Sequence, residues 1–384
     1  MCGITGLINC GSEHALNEMT SVIEHRGPDD YGIKWFHHTN SGFGHRRLSI
    51  IDLSPAGHQP MCNDAGNLWI TYNGEIYNYK EVRKSLTTLG YKFKSHSDTE
   101  VILKAYEEWG VECLERFNGM FAFAIYDAEK EKLFGARDRT GVKPFYYSQF
   151  GESFAFASEI KAILKAKLFP NEIDYEAIYT PIHYQITPKT GFKNINKLPA
   201  GCYFIFENGK LTVKDYWKIT PSENYDITED QAVEKLNELL ISAIDYQMVA
   251  DVPVGILLSG GLDSSIIASL MGRNTDKQIK SFTIKFKQED LKKQGNVDDS
   301  YYAKKVAEKF NFDHKEILIE PDIINLFPKI VWHLDEPMAD PSTINTYLIS
   351  QAAREEGIVV LLNGMGGDEI FGGYRSYLAC LAAD

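Results

Sequence analysis

The chain has 384 residues, enough for two or three domains and for a large buried core. Its 44% hydrophobic and 24% charged residues are typical of a globular protein. The formal net charge of −13 disfavours nucleic acid and anionic membrane surfaces as general partners, because both carry negative charge.

No targeting or membrane-spanning segment is predicted. The first residues lack the basic region of a signal peptide, and the longest apolar runs, Val254 to Leu258 and Ile358 to Leu362, are too short to cross a bilayer. The cysteines share neither a CxxC pair nor a metal-like spacing: Cys2, Cys10, Cys62, Cys113, Cys202 and Cys380. Reduced thiols and a cytoplasmic protein are therefore expected.

The first half alternates short strands with two amphipathic helices. Segments with the alternating or aromatic-rich pattern of strands are Gly3 to Ile8, Leu68 to Tyr72, Met120 to Asp127, Lys132 to Ala136, Pro144 to Tyr147 and Ser153 to Ala157. Helices are expected at Tyr79 to Leu89 and Thr99 to Trp109, each ended by a glycine, Gly90 or Gly110. The pattern predicts an α+β domain, with helices packed on antiparallel sheet, over residues 1–217.

The pattern changes after Trp217, where Lys218 to Asp226 is polar and broken by a proline, as in a linker. Beyond it, strands are expected at Val254 to Leu258, Lys280 to Phe286, Glu316 to Ile319 and Ile358 to Leu362. Helices are expected at Glu229 to Val249, Ser264 to Met271, Ser300 to Phe310, Ile323 to Leu334 and Ser342 to Glu356. This alternation predicts an α/β domain with a parallel sheet over residues 218–384.

Cys2 is the most informative residue of the first half. Removal of Met1 would place a thiol and a free α-amine on one residue, which is a nucleophile that carries its own base. This favours hydrolysis of an amide. The alternative is an inert cysteine in a short apolar strand.

The turn after the strand Val254 to Leu258 is Ser259-Gly260-Gly261-Leu262-Asp263-Ser264-Ser265, and it opens a helix. Glycines that allow close approach, converging N–H groups and serine hydroxyls together describe a cradle for a phosphate chain. The turn lacks the spacing and the lysine of a Walker A loop, which argues against γ-phosphate transfer. Asp263 stands where a carboxylate could hold Mg²⁺.

A second glycine-rich loop, Asn363-Gly364-Met365-Gly366-Gly367-Asp368-Glu369, follows another apolar strand. It is therefore expected at the same sheet edge, where Asp263 and Asp368 would share one Mg²⁺ over a pyrophosphate. Each loop alone is equally compatible with a tight strand-to-helix turn, but two such loops at one edge favour a nucleotide site.

These motifs resemble a known family. Ser259 to Ser265 is similar to the pyrophosphate loop of the ATP pyrophosphatases, which split ATP between its α and β phosphates. Combined with Met1-Cys2-Gly3-Ile4, the whole chain resembles the glutamine-dependent asparagine synthetases. The resemblance implies a four-layer αββα glutaminase of the N-terminal-nucleophile (Ntn) hydrolase type at 1–217 and an incomplete ATP-pyrophosphatase synthetase domain at 218–384.

In the first domain, the resemblance implies that Cys2 attacks the side-chain amide of glutamine, forming a thioester and releasing ammonia. A thiol with a pKa of about 8.5, beside an α-amine with a pKa of about 8, can pass its proton through one water at neutral pH. The side chain of Asn73 and the N–H of Gly74 would form the oxyanion hole. The segment His25 to Asp30 is similar to the loop that closes over the thioester, although alone it is compatible with a Gly-Pro turn.

The charged ends of glutamine would also need partners. The resemblance places Arg47 on the α-carboxylate and Asp98, helped by Glu75, on the α-ammonium. Without the resemblance, Arg47 would be a surface arginine, Asn73-Gly74 a hairpin turn, and Asp98 the N-cap of a helix that begins at the next residue.

In the second domain, the resemblance implies that ATP activates aspartate as β-aspartyl-AMP with release of pyrophosphate, and that ammonia then gives asparagine and AMP. Main-chain groups of Leu257 and Ile284 would hold the adenine, and Asn363 and Gly364 would border the nucleotide. An apolar passage would carry ammonia from Cys2. The expected partners are glutamine, aspartate and ATP with Mg²⁺, and a homodimer is an open possibility.

Two departures from the family leave the acceptor open. Met365 stands where many members carry an acidic residue that helps to form the adenylate, and a thioether cannot coordinate Mg²⁺. Members of the family also continue past the position of Asp384, so the chain is either a piece of a longer protein or a shortened copy. Alternatives to asparagine synthesis are amidation of another carboxylate such as a sugar acid, glutaminase activity only, and a non-catalytic nucleotide-binding remnant.

Acidic residues between Trp332 and Ser342 have two interpretations. Asp335, Glu336 and Asp340 could face the acceptor. The favoured alternative is that Asp340 and Ser342 cap the helix that follows.

Overall fold

The computed structural model describes residues 1–179, 187–220, 226–273, 278–286, 299–318, 323–337, 340 and 342–383. Contacts divide the chain into two units: Met1–Glu223 with Val331–Ala339, and Asn224–Ile330 with Asp340–Asp384. Part of the expected linker from Lys218 to Asp226 lies outside the described residues. Within the described ranges, every helix is too short or too polar to cross a membrane.

Two six-stranded antiparallel sheets form the frame of the first unit. The strands are β1 (Gly3–Ile8), β2 (Asp30–Phe36), β3 (Ser41–Arg47), β4 (Met61–Cys62), β5 (Leu68–Ile76), β6 (Gly119–Asp127), β7 (Lys132–Arg137), β8 (Tyr146–Phe150), β9 (Ser153–Ala157), β10 (Asn196–Lys197), β11 (Cys202–Glu207) and β12 (Lys210–Asp215). The first sheet has the order β10-β8-β9-β1-β3-β2, and the second has the order β12-β11-β7-β6-β5-β4.

The first unit also contains α-helices. They are α1 (Glu13–Ser21), α2 (Tyr79–Thr88), α3 (Asp98–Trp109), α4 (Cys113–Arg116), α5 (Ile160–Lys165) and α6 (Tyr175–Tyr179). Ser12 caps α1 by accepting a hydrogen bond from the N–H of Ala15, and α1 then buries Leu16 and Met19 on its apolar face.

The first unit has four layers, αββα. Aromatic and aliphatic side chains of both sheets meet in one core, including Ile4, Phe43, Phe156, Tyr126 and Phe204. On the other face of the first sheet, residues of α1 and α5 form a second buried cluster, and α3 packs on β5 of the second sheet. Strand β1 is fully buried because one of its faces packs in the core between the sheets and the other packs against the helices. The predicted α+β architecture is confirmed.

Some elements differ from the sequence-based expectation. The strands β2, β3, β4, β10, β11 and β12 and the helices α1, α4, α5 and α6 were not predicted. The strand expected at Pro144 to Tyr147 lies at Tyr146–Phe150. Strand β3 has the sequence Ser-Gly-Phe-Gly-His-Arg-Arg, in which glycines replace the apolar half of the alternation. A period-2 pattern therefore does not reveal it.

A four-stranded parallel sheet, in the order β15-β14-β13-β16, organises the second unit. Its strands are β13 (Val254–Leu257), β14 (Lys280–Lys285), β15 (Asp313–Leu318) and β16 (Val360–Leu362). The helices are α7 (Glu229–Gln247), α8 (Leu262–Met271), α9 (Asp299–Lys309), α10 (Ile323–Leu334), α11 (Ser342–Glu355), α12 (Gly367–Phe371) and α13 (Arg375–Ala383). The helices α12 and α13 were not predicted, and Ile319, the expected end of the third strand, lies outside the described residues. The other bounds lie within three residues of the prediction, and the α/β class is confirmed.

Candidate active site

One pocket of the first unit, with about 480 Å³ of open space, contains all the glutamine-site residues predicted from the sequence. These residues are Cys2, Arg47, Asn73, Gly74, Glu75 and Asp98. They come from separate segments, namely the start of β1, the end of β3, strand β5 and the first turn of α3. The fold therefore brings groups that are far apart in the chain together in one concave site.

The thiol of Cys2 is held at the start of β1 by the backbone of Leu48. Its Sγ lies 3.4 Å from the N–H nitrogen and 3.6 Å from the carbonyl oxygen of Leu48. Burial raises the pKa of the thiol, while the terminal amino group, the Leu48 N–H, Arg47 and Arg26 act in the opposite direction. Since the pKa stays raised, the thiol needs a nearby base before it can attack as a thiolate.

Asn73 and Gly74 lie inside β5, so the interpretation of this pair as a hairpin turn is wrong. Gly74 pairs with Phe121 of β6, and a Cβ at Gly74 would overlap the carbonyl oxygen of Met120. Asn73 is buried, and its Nδ2 has no hydrogen-bond partner in the part of the chain that the structure describes. A buried amide donor in a pocket is suited to an anionic oxygen of a ligand.

Arg47 is buried rather than on the surface, so its surface interpretation is also wrong. Its guanidinium donates to the carbonyls of Ile51 (3.2 Å), Asp52 (2.5 Å) and Ser54 (3.2 Å). These hydrogen bonds use three of the five donors and fix the guanidinium in the pocket wall. The arrangement is suited to a carboxylate ligand.

Asp98 and Glu75 bring two carboxyl groups into the same pocket. Asp98 accepts hydrogen bonds from the hydroxyl of Tyr72 (2.7 Å) and the N–H of Ile76 (3.0 Å), and burial raises its pKa. Burial and the neighbouring Asp98 raise the pKa of Glu75 to about 7. A ligand cation would relieve this repulsion.

The interpretation of Asp98 as an N-cap is wrong by one residue. Ser97 caps α3 by accepting a hydrogen bond from the N–H of Thr99 at 3.1 Å, and Asp98 is the first helical residue. The side chain of Asp98 turns toward β5 instead, where it accepts the two hydrogen bonds from Tyr72 and Ile76.

Sequence reasoning missed several residues of the pocket wall. Gln59 accepts a hydrogen bond from the N–H of Tyr72 (2.7 Å) and donates to Thr99 (3.2 Å), which ties β5 to α3. Lys143 also lines the pocket, and burial lowers its pKa. A lysine in a Gly-Val-Lys-Pro turn has the sequence pattern of a surface residue, so no local signal distinguishes it.

The segment expected to close over the thioester lies beside the pocket. Residues Glu24–Arg26 form one short 3₁₀ turn, after which Pro28 makes a single β-bridge to Arg47. Asp29 donates its N–H to the carbonyl of Arg47 at 3.0 Å and accepts a hydrogen bond from the N–H of Ser49 at 2.8 Å. Closure of the segment over a ligand stays a prediction.

In the second unit, the loop from Ser259 to Ser265 joins β13 to α8 as predicted. Gly260 has a φ of +79°, and a Cβ there would overlap the backbone of α9, so glycine is required. The hydroxyl of Ser259 accepts from the N–H of Gly261 and lies 3.0 Å from that of Ser264. Gly261 is the N-cap of the ten-residue α8, whose first N–H groups are free of helical partners and fit an anion.

The second glycine-rich loop meets the first. Cβ atoms at Gly364 and Gly367 would crowd Asp263, so these two glycines allow the loops to pack together. Asn363 uses its side chain locally, accepting a hydrogen bond from the N–H of Met365 at 3.0 Å. The carboxylate of Asp368 lies against Gly373.

The metal site on Asp263 and Asp368 and the adenine site on Leu257 and Ile284 stay predictions. Across the described ranges, no group of three or more His, Cys, Asp or Glu side chains could hold a metal ion. The shared Mg²⁺ on Asp263 and Asp368 therefore stays a prediction. Leu257 and Ile284 lie on the neighbouring strands β13 and β14, half-buried beside Phe282, and their role toward adenine also stays a prediction.

The acidic residues between Trp332 and Ser342 separate into two groups. Asp340 accepts a hydrogen bond from the N–H of Ser342 at 2.9 Å, as the capping interpretation requires. Asp335 and Glu336 are paired with lysines of the first unit, which leaves the acceptor interpretation of these two residues without support.

Comparison with known proteins identifies both parts of the chain. A glutamine amidotransferase domain matches residues 1–217, and an asparagine synthase domain matches residues 235–383. A Methanocaldococcus jannaschii protein provisionally named asparagine synthetase [glutamine-hydrolyzing] 2 is 39% identical over 98% of this chain and 76% of its own length. Asparagine synthetase [glutamine-hydrolyzing] 1 of Bacillus subtilis is 38% identical over 98% of this chain and 59% of its own length.

A solved structure of a glutamine phosphoribosylpyrophosphate amidotransferase from B. subtilis, complexed with ADP and GMP, is also similar. It has a TM-score of 0.45 and 14% identity, covering 94% of this chain and 90% of that chain. The chain spans 76% of the M. jannaschii relative but only 59% of the B. subtilis synthetase. The two domain matches and the identity over nearly the whole chain show that it belongs to the family of glutamine-hydrolysing asparagine synthetases.

Proposed function

We propose that this chain hydrolyses glutamine at Cys2 and that its second domain uses the ammonia to amidate aspartate at the expense of ATP. The observation that carries the proposal is the single pocket that combines the thiol of Cys2, the unpartnered amide of Asn73, the buried Arg47 and the two carboxyls. Each of these groups matches one part of a glutamine molecule.

The charges of the pocket fit an α-amino acid with an uncharged side-chain amide. The guanidinium of Arg47 binds the α-carboxylate, and Glu75 with Asp98 binds the α-ammonium. The side chain of glutamine then reaches Cys2, and the amide of Asn73 with the N–H of Gly74 faces the developing oxyanion.

The reaction proceeds in two steps and needs a base, because burial raises the pKa of the thiol. After removal of Met1, the free α-amine of Cys2 takes the thiol proton while Sγ bonds to the amide carbon. The resulting ammonium returns the proton to the leaving nitrogen, the C–N bond breaks, and ammonia departs. Water then attacks the thioester, which releases glutamate and restores the thiol.

In the second domain, bound ATP would supply the adenylyl group that activates the acceptor carboxylate. The loop from Ser259 to Ser265 and the start of α8 would hold its phosphates, since the glycines and the free N–H groups fit an anion. Asp263 and Asp368 would hold Mg²⁺ beside them. Leu257 and Ile284 would contact the adenine, and Asn363 and Gly364 would border the nucleotide.

One observation favours a second candidate, the amidation of a different carboxylate. Met365, at the place of an acidic residue in many members of the family, is 82% exposed on the second loop. A thioether there supplies no negative charge. Incubation with ATP, Mg²⁺, glutamine and a panel of carboxylates, with pyrophosphate and glutamate measured separately, identifies the acceptor. Glutamate without pyrophosphate for every acceptor would reduce the function to glutaminase activity.

The glutaminase assignment is tested by Cys2→Ala. We expect glutamate formation to fall by at least about 1,000-fold, because the attacking atom is lost, while any AMP formation driven by added ammonia is unchanged. Cys10→Ala is the matched control, since Cys10 is also half-buried but lies outside the pocket. Equal loss of both activities in Cys2→Ala would contradict the proposed division of labour.

A further inference from the structure

A chain of buried charged side chains connects Cys2 to residues 331–337, here called the 331–337 segment. Arg26 donates from Nε to the carbonyl of Cys2 at 2.9 Å and from Nη1 to Glu159 at 3.0 Å. The other carboxylate oxygen of Glu159 accepts from Lys161. Lys161 also pairs with Asp335 at 2.9 Å, so three side chains link the backbone of Cys2 to Asp335 of the segment.

Glu159 is the centre of this chain. One of its carboxylate oxygens is shared by Arg26 and His25, which lies at 2.9 Å, and the other binds Lys161. Burial acts to raise the pKa of Glu159, but His25, Arg26 and Lys161 together hold it at about 2, so the group stays ionised.

The 331–337 segment has further contacts with the first unit. Glu336 pairs with Lys197 at 3.0 Å and accepts a hydrogen bond from the N–H of Gly191 at 2.7 Å. The ring of Trp332 lies under the ammonium of Lys161 at 4.6 Å and 5.0 Å from the ring of His25. Ionic, amide and aromatic contacts therefore hold the same short stretch of chain.

The environment makes these contacts costly to break. The side chains of Arg26, Glu159, Lys161 and Asp335 are at most 11% exposed. Removal of one partner from a buried ion pair leaves the other charge without compensation, so the chain of contacts acts as a unit. Asp335 also has a φ of +65°, a conformation that surrounding contacts must maintain.

The 331–337 segment belongs to the first unit although it is flanked in sequence by residues of the second. Its neighbours along the chain, up to Ile330 and from Asp340 onward, belong to the second unit. A conformational change in either flanking stretch would therefore act on the position of the segment, because the backbone is continuous.

We propose that Lys161 is a positioning residue, which seats the 331–337 segment and, through Glu159 and Arg26, fixes the backbone of Cys2. The inference rests on the proposed glutaminase function and adds that the position of the segment sets the rate of the reaction at the thiol. Lys161 does not line the pocket, so it acts through its neighbours rather than on the substrate.

The test is Lys161→Met in the full chain, with Lys165→Met as the matched control. Lys165 lies on the same helix α5, but its ion pair with Glu18 at 3.1 Å is half-exposed. For Lys161→Met we expect hydrogen exchange across residues 331–337 to accelerate at least about 10-fold and kcat for glutamine to fall about 10-fold, with KM within about 2-fold of wild type. Lys161→Arg should restore most of kcat, and Lys165→Met should change none of these values.

A third readout does not depend on glutamine. We expect alkylation of Cys2 by iodoacetamide, mapped by mass spectrometry of the N-terminal peptide, to change at least about 3-fold in Lys161→Met, because the Cys2 backbone is no longer fixed. Unchanged hydrogen exchange in the segment, or a released segment with wild-type kcat or wild-type alkylation, would overturn the inference.

The inference and the proposed function fail separately. A full chain that hydrolyses no glutamine contradicts the proposed function, and unchanged exchange or alkylation in Lys161→Met then still overturns the inference. If circular dichroism shows that Lys161→Met is unfolded, Asp335→Asn takes its place, since asparagine tolerates a positive φ and removes only the charge. The same outcomes apply to that variant.

Discussion

Glu75 and Asp98 share a pocket in which two negative charges would repel each other. Asp98 is deeply buried and receives two hydrogen bonds, whereas burial and Asp98 raise the pKa of Glu75 to about 7. Near neutral pH, part of the Glu75 population is therefore protonated in the empty site. A bound ammonium group favours the carboxylate, so ligand binding and loss of this proton are linked.

Glutamine should bind more tightly as the pH rises through 7. In Cys2→Ala, which binds without turnover, we expect the Kd measured by calorimetry to fall about 5- to 10-fold from pH 6 to pH 8, because only the ionised Glu75 attracts the ammonium. Glu75→Gln in the same background should bind weakly with little dependence on pH. A Kd in Cys2→Ala that stays constant over this range would contradict the assignment of Glu75.

Arg47 offers a test of carboxylate recognition. Lysine in its place has only three donors, so it cannot occupy three backbone carbonyls and still donate to a ligand, and it presents no planar fork. We expect Arg47→Lys to raise KM for glutamine about 10- to 100-fold, the loss of about 1.5–3 kcal/mol of charge-assisted hydrogen bonding. Arg46→Lys is the control, since Arg46 points to Thr20 and Glu24 instead, and its KM should stay within about 2-fold of wild type. Similar KM values for both variants would exclude the proposed role of Arg47.

Strand β5 shows why the element around the oxyanion hole could be predicted only in part. The alternation from Leu68 to Tyr72 marks a strand, but Asn-Gly is a strong hairpin signal that suggests an end at Tyr72. In the structure, β5 continues to Ile76 because β6 pairs with it along its whole length, from Leu68 opposite Asp127 to Ile76 opposite Gly119. Long-range pairing overrides the local turn preference here.

The close approach of β6 predicts that Gly74 cannot carry a side chain. A Cβ would overlap the carbonyl oxygen of Met120 and Phe121, and we expect Gly74→Ala to lower the free energy of unfolding by about 3 kcal/mol or more. Gly90→Ala is the control, because Gly90 has a φ of +100° with open space around it. Its loss should be only about 1–2 kcal/mol, and equal losses in urea denaturation would contradict the steric argument.

Elements with strong local signals were predicted well. Helix α3 has periodic apolar residues and a glycine at its end, and its prediction differs from the structure by one residue at the N-terminus. The strands β13 and β16 are apolar runs followed by glycine-rich loops. This pattern predicts parallel strands and places both loops at the same edge of the sheet. Strand β3, with its glycines and arginines, has no such local signal and depends on β1 and β2 for its conformation.

The sequence predicted those parts of the candidate site in which side chains act, and it missed the parts in which backbone groups act. The family resemblance located Cys2, Arg47, Asn73 and Asp98, and the structure brings all of them to one pocket. The backbone of Leu48, which holds the thiol, gives no side-chain signal. The same limit applies to the contacts of the 331–337 segment, because ion pairs between residues so far apart in the chain are properties of the tertiary structure.

At the scale of the whole molecule, each unit has its own hydrophobic core. Phe156 is fully buried in the core of the first unit, and Phe282 is fully buried in the second. Separate cores predict separate unfolding transitions in scanning calorimetry.

Substitution of these two phenylalanines tests the independence of the cores. Phe282→Ala should lower the Tm of one transition, by a loss of about 3–5 kcal/mol at that core, and leave the other transition unchanged. Phe156→Ala should affect the other transition and, with it, glutamine hydrolysis. A single transition that shifts equally in both variants would show that the units unfold together.

The unpartnered amide of Asn73 has a consequence for the resting protein. The donor has no acceptor among the described residues, and a ligand that supplies an anionic acceptor would gain a charge-assisted hydrogen bond of about 1.5–3 kcal/mol. An aldehyde analogue of glutamine, captured by the thiol as a tetrahedral adduct, would supply the missing acceptor. We therefore expect the aldehyde analogue to raise the Tm more than glutamine does, and the protein without ligand to have the lowest Tm.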